Sequence, residues 1–183
     1  MKVSLDGSEK NKDTASTILF DDLKIVKELI YDRFNFHFTK LQNNPESAEY
    51  SACSYELNEK KIQHRASKIT PTKVGQFVTI WKRNKEGITE PFNVSDELDF
   101  IVVTSANKNQ FGLFIFPKSV LSSKGIITSQ SKAGKRGIRV YPPWDITTNE
   151  QARKTQAWQK EYFLEVSLHT DLSIVQKLFY QTH

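Results

Sequence analysis

The 183 residues suit one domain, and 38% hydrophobic with 26% charged residues is the composition of a water-soluble globular fold, not of a disordered or membrane-embedded chain. Cys53 is the single cysteine, which excludes an intrachain disulfide and a cysteine-based zinc site. The net charge of +5 is uneven: residues 61–160 carry 17 Lys/Arg against 7 Asp/Glu, while residues 1–60 carry 8 against 11. An anionic partner is therefore expected at the middle of the chain.

Residues 1–16 read as a polar tail and residues 17–183 as a single domain. The tail lacks the apolar core of a signal peptide, and no stretch approaches the roughly 20 apolar residues of a membrane helix. The expected setting is cytoplasmic, with no membrane contact. The first predicted helix spans Ile18 to Phe34, where Leu19, Leu23, Val26 and Ile30 recur at helical spacing and Asp21 and Asp22 favour the start. Phe34, Phe36 and Phe38 then alternate, and Asn43-Asn44-Pro45 breaks the pattern.

Strands are expected from Tyr50 to Leu57 and Lys61 to Ile69, joined by a turn at Asn58-Glu59-Lys60. His64 falls in the second of these and reads as a surface residue. Val74 to Lys82 follows as one strand. Asp99 to Thr104 and Phe111 to Phe116 are two more, joined by a polar turn and so antiparallel. Their apolar runs mark central strands buried on both faces. A short helix from Lys118 to Lys124 should stop at Gly125. A short strand follows at Gly137 to Tyr141, then a helix from Thr147 to Phe163 opened by a Thr147–Glu150 capping box. A closing helix runs from Asp171 to Tyr180. These elements predict an α+β fold with a central mixed, mostly antiparallel sheet flanked by helices.

Four constellations carry chemistry. Arg65, Lys68, Lys73, Lys82 and Arg83 fall on neighbouring strands, and the first four share one side if those strands pair back on each other. Gly134 to Asp145 interleaves Lys135, Arg136 and Arg139 with Tyr141 and Trp144. Cations of this kind meet phosphates and aromatic faces stack on bases, although Trp144 also reads as a core aromatic pinned by Pro142-Pro143. Arg153, Gln156 and Lys160 share a helical face. Asp96-Glu97-Leu98-Asp99 is acidic, and Asp99 and Glu97, with Glu49 and Glu56, are the residues a Mg²⁺-dependent nuclease would use. The four histidines show no ligand-like spacing.

Several segments together resemble the MepB family. They are Arg65-Ala-Ser-Lys68-Ile-Thr70-Pro71, Lys73-Val-Gly75-Gln76-Phe77-Val78, Trp81-Lys82-Arg83, Asp99-Phe100, Phe111-Gly112 through Phe116-Pro117-Lys118, Gly134-Lys135-Arg136-Gly137 through Val140-Tyr141-Pro142-Pro143-Trp144, and Gln156-Ala157-Trp158-Gln159. They span roughly residues 48 to 164. The family is named for a gene neighbourhood shared with a bacterial multidrug efflux pump. The resemblance implies a core similar to PD-(D/E)xK restriction-endonuclease-like domains and a nucleic-acid-binding role. The Asp/Glu-x-Lys signature is incomplete here. Ile80-Trp81-Lys82 and Phe116-Pro117-Lys118 lack the acid, Glu59-Lys60-Lys61 falls in a turn, and Asp22-Leu23-Lys24 falls in a helix. The expectation is binding to single- or double-stranded DNA with low sequence specificity and without cleavage. Arg65, Lys68, Lys73, Lys82, Arg83, Lys118, Lys135, Arg136, Arg139, Arg153 and Lys160 are the candidate cations. No cofactor is expected, except Mg²⁺ in the nuclease alternative. A small-anion or nucleotide pocket built from the same cations is the third reading.

Overall fold

A computed structural model describes residues 19–180. The expected tail and the Ile18 start of the first helix lie outside the described residues. In chain order the elements are α1 (Asp21–Val26), continued by a π-helical turn (Lys27–Asp32), β1 (Phe38–Asn43), a 3₁₀ turn (Pro45–Tyr50), β2 (Cys53–Leu57), β3 (Lys60–Ala66), β4 (Lys68–Thr70), β5 (Lys73–Thr79), β6 (Trp81–Arg83) and β7 (Thr89–Pro91). They continue with β8 (Phe100–Ala106), β9 (Phe111–Pro117), α2 (Lys118–Ser123), β10 (Gly137–Val140), α3 (Glu150–Lys160), β11 (Phe163–Glu165) and α4 (Leu172–Tyr180).

Six strands form the main sheet in the order β1-β2-β3-β8-β9-β11, and β10-β5-β4 and β6-β7 form two small sheets. All pairings in the main sheet are antiparallel except β3 with β8, so the mixed α+β fold expected from the sequence is present. Alternation along the central strands sorts the core into two layers. Phe100, Val102, Leu113 and Ile115 face α1 and α4, where Leu23, Val26, Val175 and Phe179 join them. Ile101, Val103, Phe114 and Phe116 face the other way, against Val78, Ile80, Leu121, Ile138 and Val140. The β10-β5-β4 sheet, α2 and α3 thus cover the second face. Burying these side chains contributes roughly 1.5–3 kcal/mol each relative to exposure.

A buried polar knot ties the small sheet to the large one. Ser67 Oγ donates to the Thr104 carbonyl at 3.0 Å and lies 2.7 Å from both Gln76 Oε1 and Ser105 Oγ. Gln76 Nε2 donates to the Ala106 carbonyl at 3.0 Å.

The structure corrects several expectations. β1 is an additional strand at the sheet edge, and of the alternating phenylalanines only Phe38 lies in it. The expected strand from Lys61 to Ile69 changes sheets at Ser67, and the one from Val74 to Lys82 changes sheets at Ile80. The cap of α3 is Asn149, whose side chain accepts from the Ala152 N–H, in place of Thr147. His64 is buried: its Nε2 lies 2.8 Å from Asp22 Oδ2, to which Thr104 Oγ1 also donates at 2.6 Å.

The Asn58-Glu59 turn holds both residues at positive φ, as a tight hairpin requires. Gly125 follows α2 at φ +63°, the left-handed conformation that ends helices.

Candidate nucleic-acid interface

The candidate cations separate into engaged and unengaged groups. Arg65 is 2% exposed, inside β3 in the wall of a separate pocket, so a nucleic-acid backbone running over the surface does not reach it. Lys68 pairs with Glu49 at 3.0 Å and lies over the Tyr50 ring. Lys82 pairs with Asp96 at 2.5 Å and Glu90 at 3.3 Å, and Arg83 with Glu46 at 2.6 Å. Lys118 donates to the Asp96 carbonyl at 2.6 Å. The expectation that Arg65, Lys68, Lys73 and Lys82 share one side of a sheet is overturned, because their strands belong to three different sheets.

Lys73, Lys135 and Arg139 converge instead on a groove of about 690 Å³. It runs between the outer face of the β10-β5 sheet and the start of α3, with Lys124 at the end of α2 as a fourth cation. None of the groove's lining residues is acidic, and none of the four cations pairs with a carboxylate among the described residues. Arg139 is held in place through Nη1, which donates to Thr70 Oγ1 at 3.0 Å and to the Gly75 carbonyl at 3.0 Å. Lys124 sits 5.3 Å from the centre of the Trp158 ring. Sequence reasoning missed Lys124, which joins the groove only because the chain turns at Gly125.

Gly75 explains the shape of one wall. At φ +79° it occupies backbone space that favours glycine, and a Cβ there would come within 2.7 Å of the Tyr141 ring. Two glutamines of α3 hold the other wall. Gln159 Oε1 accepts from the Tyr141 N–H at 2.8 Å and its Nε2 donates to the Arg139 carbonyl at 3.1 Å. Gln156 Nε2 donates to the carbonyls of Pro142 and Asp145 at 2.9 and 2.8 Å. Gln156 therefore turns inward to a backbone loop and does not extend a basic face between Arg153 and Lys160. Arg136, Arg153 and Lys160 are exposed outside the groove lining. Trp144 is half-buried, packed edge-on against Phe163 at 5.4 Å. Its role is packing, and Tyr141 alone of the two expected stacking residues lines the groove.

Among the described residues the four carboxylates of the nuclease alternative form no metal-holding cluster, although Glu56, Glu97 and Asp99 all neighbour Lys61. Glu49 pairs with Lys68, Glu56 with Lys40 at 2.9 Å, and Glu97 with Lys61. Asp99 Oδ2 accepts from the Lys61 N–H at 2.8 Å, and its carbonyl accepts from the Lys118 N–H at 2.9 Å, clipping β3 to the start of α2. Among the described residues, no three of His, Cys, Asp or Glu gather closely enough to hold a metal ion, and no helix is long and apolar enough to cross a membrane.

The sheet order defines a mixed α+β protein, one face of which carries a groove lined by four cations and no acidic side chain. The chain belongs to the MepB-like family, whose profile matches residues 44–165. It is similar to a solved crystal structure of MepB, with 30% sequence identity and a TM-score of 0.69, over 80% of this chain and 97% of that one. No curated protein matches the chain.

Proposed function

We propose that the chain binds DNA through the groove at Lys73, Lys124, Lys135 and Arg139, with low sequence specificity and without cutting it. One observation carries the reading: four cations face one groove that no acidic side chain lines. Cations already paired gain little from a phosphate, whereas unpaired ones release counterions when it binds. Phosphate contacts position a strand without reading its bases, and Tyr141 adds a face for stacking. Arg136, beside the groove in sequence, extends the footprint.

The same reading includes a restriction-endonuclease-like core and a bacterial cytoplasmic setting associated with efflux. Its support is the mixed sheet covered on both faces and membership of the MepB-like family. The test is a gel-shift assay with labelled single- and double-stranded oligonucleotides, with and without Mg²⁺ and with mononucleotides as competitors. Retarded, full-length DNA that excess mononucleotide fails to displace is the expected result. Shortened DNA would establish a nuclease, and displacement by mononucleotide a small-anion pocket.

A further inference from the structure

A second pocket, of about 320 Å³, opens at the far end of the β5–β6 run and shares no lining residue with the basic groove. Its wall includes Arg65, Gln63, Asn44, Trp81, Phe92 and Leu98. Arg65 Nη1 donates to the His64 carbonyl at 2.7 Å, and Nη2 makes a long 3.4 Å bond to the Trp81 carbonyl. The guanidinium lies 5.9 Å from the centre of the Phe92 ring. Its Nε is buried with no hydrogen-bond partner, and no carboxylate pairs with it among the described residues.

The other charges at this pocket are matched. Lys82 pairs with Asp96 and Glu90, Arg83 with Glu46, and Glu97 with Lys61. Arg65 is left as one uncompensated positive charge. Burial pulls it down only to about 10, so it stays cationic at neutral pH. Leaving such a charge buried and unpaired is unfavourable, and an entering anion offsets that cost.

We infer that this pocket binds a small organic monocarboxylate with a planar or apolar body, its carboxylate on the Arg65 guanidinium. One negative charge matches the one unpaired cation, and the guanidinium fork suits a carboxylate. Trp81, Phe92 and Leu98 supply apolar surface for the rest of the molecule, and the Asn44 and Gln63 amides supply polar contacts. The volume lies at the small end of the about 300–1,000 Å³ found for small-molecule sites. A phosphate, with more than one negative charge at neutral pH, would exceed the single unpaired cation and meet the Asp96 and Glu97 carboxylates.

The experiment follows the Arg65 side-chain ¹⁵N resonances in the full-length labelled chain, assigned from the spectrum of Arg65→Lys. The probes are benzoate, isobutyrate, the neutral isostere benzamide, and inorganic phosphate. A saturable shift with the carboxylates, absent with benzamide and weaker with phosphate, is expected. In Arg65→Met, benzoate binding read from the neighbouring backbone amides should be at least about tenfold weaker, the loss of one charge-assisted contact. Equal responses to benzoate and benzamide, a stronger response to phosphate, or no saturable shift with either carboxylate overturns the inference. The comparison on the unaltered protein decides the matter even if Arg65→Met does not fold.

Discussion

Gln159, in the last turn of α3, grips the backbone at the end of β10, its Nε2 donating to the Arg139 carbonyl at 3.1 Å while its Oε1 accepts from the Tyr141 N–H at 2.8 Å. A buried side chain 1% exposed thereby completes the edge of a strand that no further strand covers. Gln159→Leu leaves both backbone groups unpaired, and each costs about 1–3 kcal/mol. A fall in Tm of about 4–8 °C is expected for a loss of about 2 kcal/mol in a chain of this size. A Tm within 1–2 °C of the parent, by this scale about 0.5 kcal/mol, would mean that water replaces the glutamine.

Asp22 makes acid stability measurable. Burial opposes its ionisation, but the hydrogen bond and electrostatic attraction of His64, with hydrogen bonds from Thr104 and Ser51, hold it down to about 2 from 3.8. A depressed carboxyl stabilises the fold above its unfolded value, and that contribution is lost as pH falls from about 4 to about 2. The stability gap between the parent and Asp22→Asn should narrow by roughly 2 kcal/mol over this window. Urea melts at a series of pH values measure it, and a gap independent of pH contradicts the account.

Cys53 should be inert in the folded protein. Burial, with the nearby Asp22 carboxylate, pushes its thiol up to about 12, and the residue is 1% exposed. It stands across from His64 in the β2–β3 pairing, an arrangement closed to any substrate by burial. Labelling by a thiol reagent at pH 8 should proceed only at the rate of unfolding, rising with urea. Fast labelling in buffer alone would show that the β2 region opens locally.

The division between engaged and unengaged cations predicts unequal substitutions. Lys135→Ala and Arg139→Ala should each weaken DNA binding and lower the salt slope by about one. Lys82→Ala and Arg83→Ala, which release Asp96 and Glu46 from their partners, should change the slope little. Equal effects at all four positions would refute a groove-centred interface.

What the sequence revealed depended on how local its cause was. β8 and β9 were legible because Phe100 to Val103 and Leu113 to Phe116 are continuous apolar runs. The Asn58-Glu59 turn was legible because Asn58-Glu59-Lys60 is a polar break between two strand-like runs and Asn readily takes positive φ, whereas the positive φ of Glu59 was not legible. β1 was not, since Phe-Thr-Lys-Leu-Gln-Asn is a polar edge strand with an irregular register between Thr39 and Gln42 and Lys40 at φ +55°. His64 read as a surface residue because its partner Asp22 lies 42 positions away.

The basic middle of the chain was visible as charge, but Lys73 on the one hand and Lys135 and Arg139 on the other read as two separate constellations, and only the fold brings them to one groove. Which cations would be neutralised was not visible, because Lys82 and Arg83 meet acids delivered by other segments. The roles of Gln156 and Gln159 were hidden for a related reason: their partners are backbone atoms, which leave no mark in composition.

The most direct test of the central claim is fluorescence anisotropy of a labelled DNA duplex across a salt series. If the four groove cations each neutralise one phosphate, affinity should fall by about 10² between 50 and 200 mM salt. An affinity that stays flat across that range, or no binding at 50 mM salt, would contradict the account.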